Sequence, residues 1–379
     1  MCENRTMASG EPDLISDLGQ RISQARLDVG MTQAELGRAV GLDRTAIAKL
    51  EAGTRKVSAT ELVALASALH RPIDWFVVES PPSVVSRRSD ALVGGRSQML
   101  DIKIDGLARD VAFLIEQGIL ADAGTRPALD LPSDLEGAEA LAKQARLLMD
   151  APDGPLCDLQ RASEQVGLLA FALDLGAAAG DAAYVEVGNM GVALINGRID
   201  PGRRRFDLAH ELGHHLFGDA YAPEVSVASS DDMEKLINAF AVHLLLPREA
   251  VTEQWRAIAD QDRRLAAVAV SVKFRASWTA TCSQLRTLGL IDAVERERFA
   301  ATPPTGADFI AIGERWVAEL EAPAIPPEYG KRVLGAYRAG RLSAARTVEL
   351  LWGTVTIEDL PEQRAVPLES LRREFDHLS

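Results

Sequence analysis

Two histidines four residues apart, with a glutamate between them, are the part of this sequence best suited to chemistry. They are His210 and His214, with Glu211 directly after the first. On a helix, residues four apart share a face, so the two imidazoles can hold one metal ion between them. Zinc suits two neutral imidazoles plus a carboxylate, and Glu211 is placed to act as a general base. The spacing therefore predicts a catalytic zinc site, with two ordinary helix histidines as the alternative.

A catalytic zinc ion usually has three protein ligands, so the third must come from another element. The helix predicted over 231–247 offers Glu234, which shares a face with Asn238. Asp231 and Asp232 are rivals nearer the start of that helix, and an exposed helix glutamate is the ordinary alternative for Glu234. His243 is predicted to face away from the metal, because it lies about half a turn round the helix from Glu234.

A small sheet is predicted before the His210 helix. Three short strand-like runs lie at 168–175, 184–187 and 192–195, and Gly or Asn residues separate them. Asp207 is predicted to cap the His210 helix or to balance charge at its start. Two residues are open candidates for stabilising an oxyanion in this region, namely Tyr221 and His215.

A second pattern, near the N-terminus, has the spacing of a helix-turn-helix. Thr32 begins a capping box, Gly41 ends that helix, and Asp43 caps the next one. Ile47 and Leu50 are spaced to face inward. The second helix of such a pair enters the major groove of DNA by its N-terminal residues. The alternative is a small helical bundle with no ligand.

The residues predicted to contact DNA fall into two groups. The predicted base-reading residues, at the exposed start of the second helix, are Arg44, Thr45, Ala46 and Lys49. The residues predicted to bind backbone phosphates are Gln33, Arg55 and Lys56.

Region 12–79, with these caps and apolar positions in register, resembles the Cro/repressor-type (XRE) helix-turn-helix family. The resemblance implies a five-helix fold that binds a double-stranded DNA operator, usually as a homodimer. One unit contacts few bases, so useful affinity needs two half-sites about 34–36 Å apart.

A second resemblance covers about 160–250. Arg-Arg-Phe-Asp-Leu-Ala-His-Glu-Leu-Gly-His, followed by Glu-x-x-x-Asn-x-Phe-Ala-x-x-Leu-Leu-x-Pro, resembles the ImmA/IrrE family of zinc metallopeptidases. The resemblance implies that Glu234 is the third zinc ligand and Asn238 its companion on the same face. The sequence departs from the family at Asp207, where threonine is usual, and at His215, where tyrosine is common. Neither departure removes a ligand or Glu211.

The composition of the chain limits the classes of protein to which it can belong. The 379-residue chain has a net charge of −14, which excludes indiscriminate coating of nucleic acid or anionic membrane. Its three cysteines lack C-x-x-C spacing, so they predict no disulfide framework and suit a reducing cytosol. No apolar run approaches the 18 or so residues of a membrane helix, and the N-terminus lacks the apolar core of a signal peptide. We predict a cytoplasmic protein with no membrane partner.

The predicted fold is mainly α with a small β-sheet, an α+β class. It comprises an all-helical N-terminal domain, a zincin-like peptidase domain and a helical C-terminal region. The predicted segments are a helix-turn-helix domain (12–79), a linker with an amphipathic helix (80–134), the peptidase domain (135–260), a helix-turn-helix-like segment (261–300) and the C-terminal region (301–379). In the fourth segment Ser271 is predicted to cap the second helix, with packing favoured over DNA contact.

Two functions fit these patterns. The first is a DNA-binding transcriptional regulator with a zinc-dependent endopeptidase domain that cleaves a repressor or partner protein encoded nearby. The second is a non-proteolytic repressor, or an antitoxin of a toxin–antitoxin pair, whose metal domain is a sensor or a structural module. The intact set of His210, Glu211, His214 and Glu234 favours a zinc metalloendopeptidase, because a structural module has no need of Glu211.

Overall fold

The chain is mainly helical with one small sheet, as the sequence predicts. A computed structural model describes residues 14–69, 71, 73–77, 86–88, 98–121, 128–176, 180–218, 227–313 and 317–363. The chain divides into two compact units. The first comprises Met1–Pro81 with Val93–Gln98, and the second comprises Pro82–Leu92 with Met99–Ser379. The boundaries of the five predicted segments stay predictions.

The described residues of the first unit form five helices around one apolar core. The helices are α1 (Leu14–Asp28), α2 (Gln33–Val40), α3 (Arg44–Glu51), α4 (Ala59–Ala68) and α5 (Ile73–Val77). The fully or nearly fully buried side chains of this core are Ile22, Leu36, Ile47, Leu50, Leu65, Leu69 and Phe76. Burying each large aliphatic or aromatic side chain contributes about 1.5–3 kcal/mol to the stability of the packed helices.

Helix caps determine where α2 and α3 begin and end. The Thr32 hydroxyl accepts from the amide of Glu35, and the Glu35 carboxylate accepts from the amide of Thr32 at 2.8 Å. Gly41 ends α2 at φ 73°, a conformation in which a side chain is strained. The Asp43 carboxylate accepts from the amide of Ala46 at 2.6 Å and starts α3. These caps confirm the predicted helix-turn-helix boundaries.

The second unit is built around a four-stranded sheet with the order β1-β3-β4-β2. The strands are β1 (Ser86–Arg88), β2 (Leu168–Leu173), β3 (Ala182–Val187) and β4 (Met190–Asn196). Strands β2 and β4 are parallel, while β3 is antiparallel to both β4 and β1. The last three strands confirm the predicted runs. The sequence did not predict β1, because a three-residue strand has no readable alternation of apolar residues.

Twelve helices of the second unit are described. They are α6 (Gln98–Glu116), α7 (Leu135–Leu148), α8 (Leu159–Gln165), α9 (Pro201–Phe217), α10 (Val227–Leu245), α11 (Arg248–Arg256), α12 (Arg263–Phe274), α13 (Trp278–Thr287), α14 (Ala293–Ala300), α15 (Gly306–Ile312), α16 (Pro327–Arg338) and α17 (Ala344–Leu350). Among the described residues, no helix is long and apolar enough to cross a membrane.

Both faces of the sheet are covered. Alternate residues of β2 point to opposite sides, as strand geometry requires. Leu168 and Ala170 belong to the cluster that contains α9 and α10, whereas Leu169 and Phe171 belong to the cluster of α6, α16 and α17. Phe171 meets Tyr329 of α16 edge to face, with ring centroids 5.0 Å apart. The sheet therefore separates α9 from the last helices.

The segment before α16 is anchored to α9. The fully buried Arg205 guanidinium and Arg275 both donate to the carboxylate of Glu319. Main-chain hydrogen bonds of 2.8 and 2.9 Å join Ala172 of β2 to Ala324. A buried arginine is tolerated only when its charge is paired, so Glu319 ties this segment firmly to the core.

Two predicted caps are wrong. Asp207 does not begin the His210 helix, because it lies buried inside α9. The helix starts two turns earlier, where the Asp200 carboxylate accepts hydrogen bonds from the amides of Gly202 and Arg203. Proline at the first helical position favours this earlier start. Ser271 lies within α12 and donates to a main-chain carbonyl, while Ser277 caps α13.

Candidate functional site

Helices α9 and α10 bring the three predicted metal ligands together. The Nε2 atoms of His210 and His214 are 3.1 Å apart. The Glu234 carboxylate lies 3.4 Å from His210 Nε2 through one oxygen and 3.6 Å from His214 Nε2 through the other. Among the described residues, this is the group of three whose ligand atoms all lie within 4.8 Å of one another.

These distances fit a zinc ion. Tetrahedral coordination with Zn–N bonds of about 2.0–2.1 Å places neighbouring ligand atoms about 3.3 Å apart. The two histidine nitrogens, 3.1 Å apart, are close to that value, and each oxygen of Glu234 is close to it from one histidine, at 3.4 and 3.6 Å. Two nitrogens and one carboxylate are also the donor set of a catalytic site, which keeps a fourth position open. The donor set and the close spacing of these residues therefore fit zinc.

Asn238 orients one of the ligands. Its side-chain oxygen lies 3.2 Å from Nδ1 of His210, so it accepts the Nδ1 proton and leaves the Nε2 lone pair free for a metal. Asp232, one of the rival ligands, is exposed and pairs instead with Lys235 at 2.7 Å. The side chain of the other rival, Asp231, lies outside the described residues.

The site is buried on the side of α9 and accessible on the side of α10. His210 and His214 are 2% and 4% exposed and Glu211 is fully buried, whereas the Glu234 side chain is 48% exposed. The histidines are therefore held by packing, while the carboxylate of Glu234 is partly exposed.

His215 connects α9 to the sheet. Its Nε2 donates to the carbonyl of Val166 at 2.9 Å, and its Nδ1 lies 3.0 Å from the hydroxyl of Tyr184 on β3. A Cβ on Gly191 would come within 2.5 Å of that Nδ1, so only glycine fits there. The sequence did not reveal Tyr184, which lies 31 residues from His215 and shares no periodic pattern with it. Tyr221, the other oxyanion candidate, lies outside the described residues.

His243 lies away from the metal ligands, as predicted. Its Nδ1 is 3.2 Å from the amide nitrogen of Gln284 and 3.7 Å from the carboxylate of Glu139. Burial lowers the pKa of His243, which favours the neutral ring that accepts from Gln284.

The first unit places the start of α3 on its surface. Arg44, Thr45 and Lys49 are exposed and Ala46 is half-buried. Arg44, Lys49 and Lys56 form no ion pair with any residue in the described part of the chain. These cations are therefore available to an external anion.

Two of the predicted phosphate contacts have partners within the unit. Gln33 donates to the carboxylate of Glu51 at 2.8 Å, and Arg55 pairs with Glu61 at 2.6 Å. Burial acts to raise the pKa of Glu51, but hydrogen bonds from Arg26 and Gln33 outweigh it, so the pKa lies below its ordinary value. An anionic Glu51 thus fixes the side chain of Gln33 at the start of α2.

Comparison with known families assigns a class to two parts of the chain. The helix-turn-helix family model matches residues 22–76, and the model described as IrrE N-terminal-like domain, of peptidase family M78, matches residues 163–286. Residues 22–76 are accordingly a helix-turn-helix domain of the XRE type, and residues 163–286 are an IrrE/ImmA-like domain. All three candidate metal ligands lie in the second match.

The curated relatives are similar over a short stretch of the chain. The chain is 34% identical over 64 residues to an uncharacterized HTH-type transcriptional regulator of Sinorhizobium medicae (strain WSM419), covering 17% of this chain and 46% of that protein. It is 39% identical over 59 residues to an uncharacterized transcriptional regulator in the ATPase CF(0) region of Rhodospirillum rubrum, covering 16% and 55%. The chain spans about half the length of these relatives.

The comparison with solved structures also gave matches, of which one is described here. It is the crystal structure of Bacillus thuringiensis PlcR in complex with the peptide PapR7 and DNA, 12% identical, with 79% of this chain and 96% of that chain covered. The TM-score of 0.17 is too low for any structural argument.

Proposed function

We propose that the protein is a DNA-binding transcriptional regulator with a zinc-dependent endopeptidase domain, which cleaves a repressor or partner protein encoded nearby. The observation that carries the proposal is the cluster of His210, His214 and Glu234, with Glu211 buried beside it, inside an IrrE/ImmA-like domain. A structural zinc site is closed by four protein ligands, whereas three ligands and a general base suit hydrolysis.

Each residue of the cluster has a defined task in this proposal. His210, His214 and Glu234 hold the zinc ion, and Asn238 keeps the His210 ring in the tautomer that can bind it. When bound, zinc supplies Lewis-acid polarisation of the scissile carbonyl and lowers the pKa of water. The carboxylate of Glu211 would take a proton from the water that attacks the scissile carbonyl, and it would then give that proton to the leaving amine.

The peptidase proposal is tested with metal removal. The zinc-loaded protein is incubated with each protein encoded beside its gene, and fragments are identified by mass spectrometry. We expect cleavage at defined peptide bonds, its loss after chelation, and its recovery when zinc is restored. Absence of fragments from every such protein, with zinc bound, would support the alternative of a non-proteolytic repressor or antitoxin.

DNA binding is proposed to place α3 in the major groove, with a homodimer spanning two half-sites. The proposal is supported by the helix-turn-helix match and by two exposed cations of α3, Arg44 at its start and Lys49 in its last turn. The net charge of −14 makes a local contact of this kind necessary, since the chain as a whole repels DNA.

Arg44→Ala combined with Lys49→Ala is expected to weaken operator binding at least about tenfold, because each base contact contributes about 1–3 kcal/mol. Binding is measured by gel shift over a range of salt, on a duplex selected by the wild-type protein from random sequences. Because the variant makes fewer cationic contacts with DNA, its affinity should also fall less steeply as the salt concentration rises. The control is Lys143→Ala with Lys331→Ala, which removes the same charge in the second unit. Equal affinity of the two double variants would exclude α3 as the recognition helix.

A further inference from the structure

A cavity of about 540 Å³ lies between α7, α10 and α11, and its lining includes Glu136, Glu139, His243 and Arg248. His243 follows Glu234 by nine residues on α10, which is about 13.5 Å along the helix axis and half a turn round it. The cavity is therefore separate from the metal cluster. Helix α7, which forms one wall, lies between the two family matches. A volume of this size is in the range of small-molecule binding sites.

The hydrogen bonds of Gln284 determine where the neutral His243 ring carries its proton. The side-chain nitrogen of Gln284 donates to the carbonyl of Leu246 at 2.9 Å. Because a carbonyl can only accept, this contact fixes the orientation of the Gln284 amide. The same nitrogen lies 3.2 Å from Nδ1 of His243 and donates its second proton there. Nδ1 is consequently the unprotonated nitrogen, and Nε2 carries the proton of the ring.

The Nε2–H group of His243 faces the cavity. Only 7% of the side chain is exposed, and Nε2 has no hydrogen-bond partner in the described part of the chain. Nε2 is not completely enclosed by those residues either, and the ring lines the cavity, so this atom is accessible from the cavity. A buried donor without a partner costs free energy, and a bound acceptor would remove that cost.

Arg248 supplies a second donor beside the first. Its Nε and Nη2 atoms both donate to the carboxylate of Glu139 at 2.7 Å, and Nη1 has no hydrogen-bond partner among the described residues. Oε2 of Glu139 lies 2.7 Å from Nη2 of Arg248 and 3.7 Å from Nδ1 of His243, so the guanidinium and the imidazole flank one oxygen. Two N–H groups on neighbouring side chains suit the oxygens of a bound carboxylate.

A group of the opposite sign lies one turn earlier on α7. Glu136 precedes Glu139 by three residues, so the two side chains start about 5–6 Å apart on one face of the helix. Glu136 is exposed and forms no ion pair with any residue that the structure describes. Leu135, whose side chain is 62% exposed, and Ala140 add apolar surface to the lining. The cavity therefore offers partners for a carboxylate, an ammonium group and an apolar side chain.

We propose that this cavity binds a free α-amino acid with an apolar side chain. The carboxylate accepts from Nε2 of His243 and Nη1 of Arg248. The ammonium group donates to Glu136, and the apolar side chain packs against Leu135. A zwitterion adds no net charge to a lining that already contains Glu136 and Glu139, whereas a simple anion would meet repulsion from both. The proposal does not depend on the peptidase function.

Binding is measured by isothermal titration calorimetry of the zinc-loaded full chain with L-leucine, L-methionine and L-phenylalanine. We expect one amino acid to bind per chain. For the tightest of the three, the amide derivative should bind at least about tenfold more weakly, because it lacks the carboxylate that makes charge-assisted hydrogen bonds. The deaminated acid should bind about fivefold more weakly, because an exposed ion pair contributes little. The proposal is wrong if none of the three binds, or if the amide binds as tightly as the amino acid.

Two substitutions distinguish the two nitrogens of His243. His243→Asn keeps an acceptor near the place of Nδ1 for Gln284 and removes the donor that faces the cavity, whereas His243→Gln presents an amide N–H near the place of Nε2. We expect His243→Asn to lower the affinity for the amino acid at least about tenfold and His243→Gln to lower it less. Circular dichroism melts verify that both variants fold. Equal losses of affinity in two folded variants would contradict the role given to Nε2.

Glu136→Gln tests the site without disturbing the core, because Glu136 is exposed. It should lower the affinity for the amino acid about fivefold and leave the affinity for the deaminated acid unchanged or higher. Glu297→Gln makes the same change at an exposed position of α14 and is the control. An amino acid held by the zinc ion alone would bind Glu136→Gln, Glu297→Gln and His243→Asn with equal affinity, and that result would overturn the proposal.

Discussion

Glu211→Gln is expected to lower the rate of proteolysis by about 10²–10⁴-fold, while the protein keeps its fold and its zinc. The amide has nearly the same volume as the carboxylate, so the fully buried position accommodates it without a cavity. An amide cannot take a proton from water or return one to the leaving amine. The rate is measured on a protein that the zinc-loaded wild type cleaves, and zinc content is measured on the same sample.

The control for this variant is Glu249→Gln, which removes one carboxylate from the exposed surface of α11. It should cleave at the wild-type rate, since an exposed ion pair contributes at most about 1 kcal/mol to stability. If Glu211→Gln keeps more than about a tenth of the wild-type rate, Glu211 is not the general base. If it loses zinc as well as activity, Glu211 contributes to metal binding and its assigned role is wrong.

The ligand cluster could be predicted because its information is local. His210 and His214 are neighbours on one helix, so their spacing alone predicts a shared metal. The spacing on the next helix left Asp231 and Asp232 as rivals of Glu234, and the resemblance to the ImmA/IrrE family implied the choice of Glu234. The helix-turn-helix boundaries were predictable for the same reason, since Thr32 and Asp43 form caps within three residues. Periodicity and capping act over one or two turns, and the sequence shows them directly.

The remaining contacts join residues that are far apart in sequence. Tyr184 contacts His215, and Arg205 contacts Glu319, which lies 114 residues further along the sequence. No short sequence pattern therefore predicts either contact. The start of α9 was predicted too late, because Asp207 has the chemistry of a cap but lies within the helix after Asp200. Tertiary packing decides such positions, since a buried polar residue can satisfy its hydrogen bonds outside its own helix.

Glu234→Gln is expected to reduce zinc affinity by more than about 100-fold. Removing a residue that hydrogen-bonds to a metal ligand lowers metal affinity about 10–100-fold. Removing the carboxylate ligand itself should lower zinc affinity more. Asn238→Ala, which removes the acceptor of the His210 Nδ1 proton, should fall within that 10–100-fold range. Asp232→Asn is the matched control, because it removes a carboxylate two residues away on the same helix that pairs with Lys235.

The most direct test of the metal centre is a zinc titration of the full chain against a competing chelator, with the stoichiometry verified by elemental analysis. We expect one zinc ion per wild-type chain, unchanged zinc affinity in Asp232→Asn, an intermediate loss of affinity in Asn238→Ala and the largest loss in Glu234→Gln. A wild-type chain that binds no zinc, or equal affinities in Glu234→Gln and Asp232→Asn, would contradict this expectation.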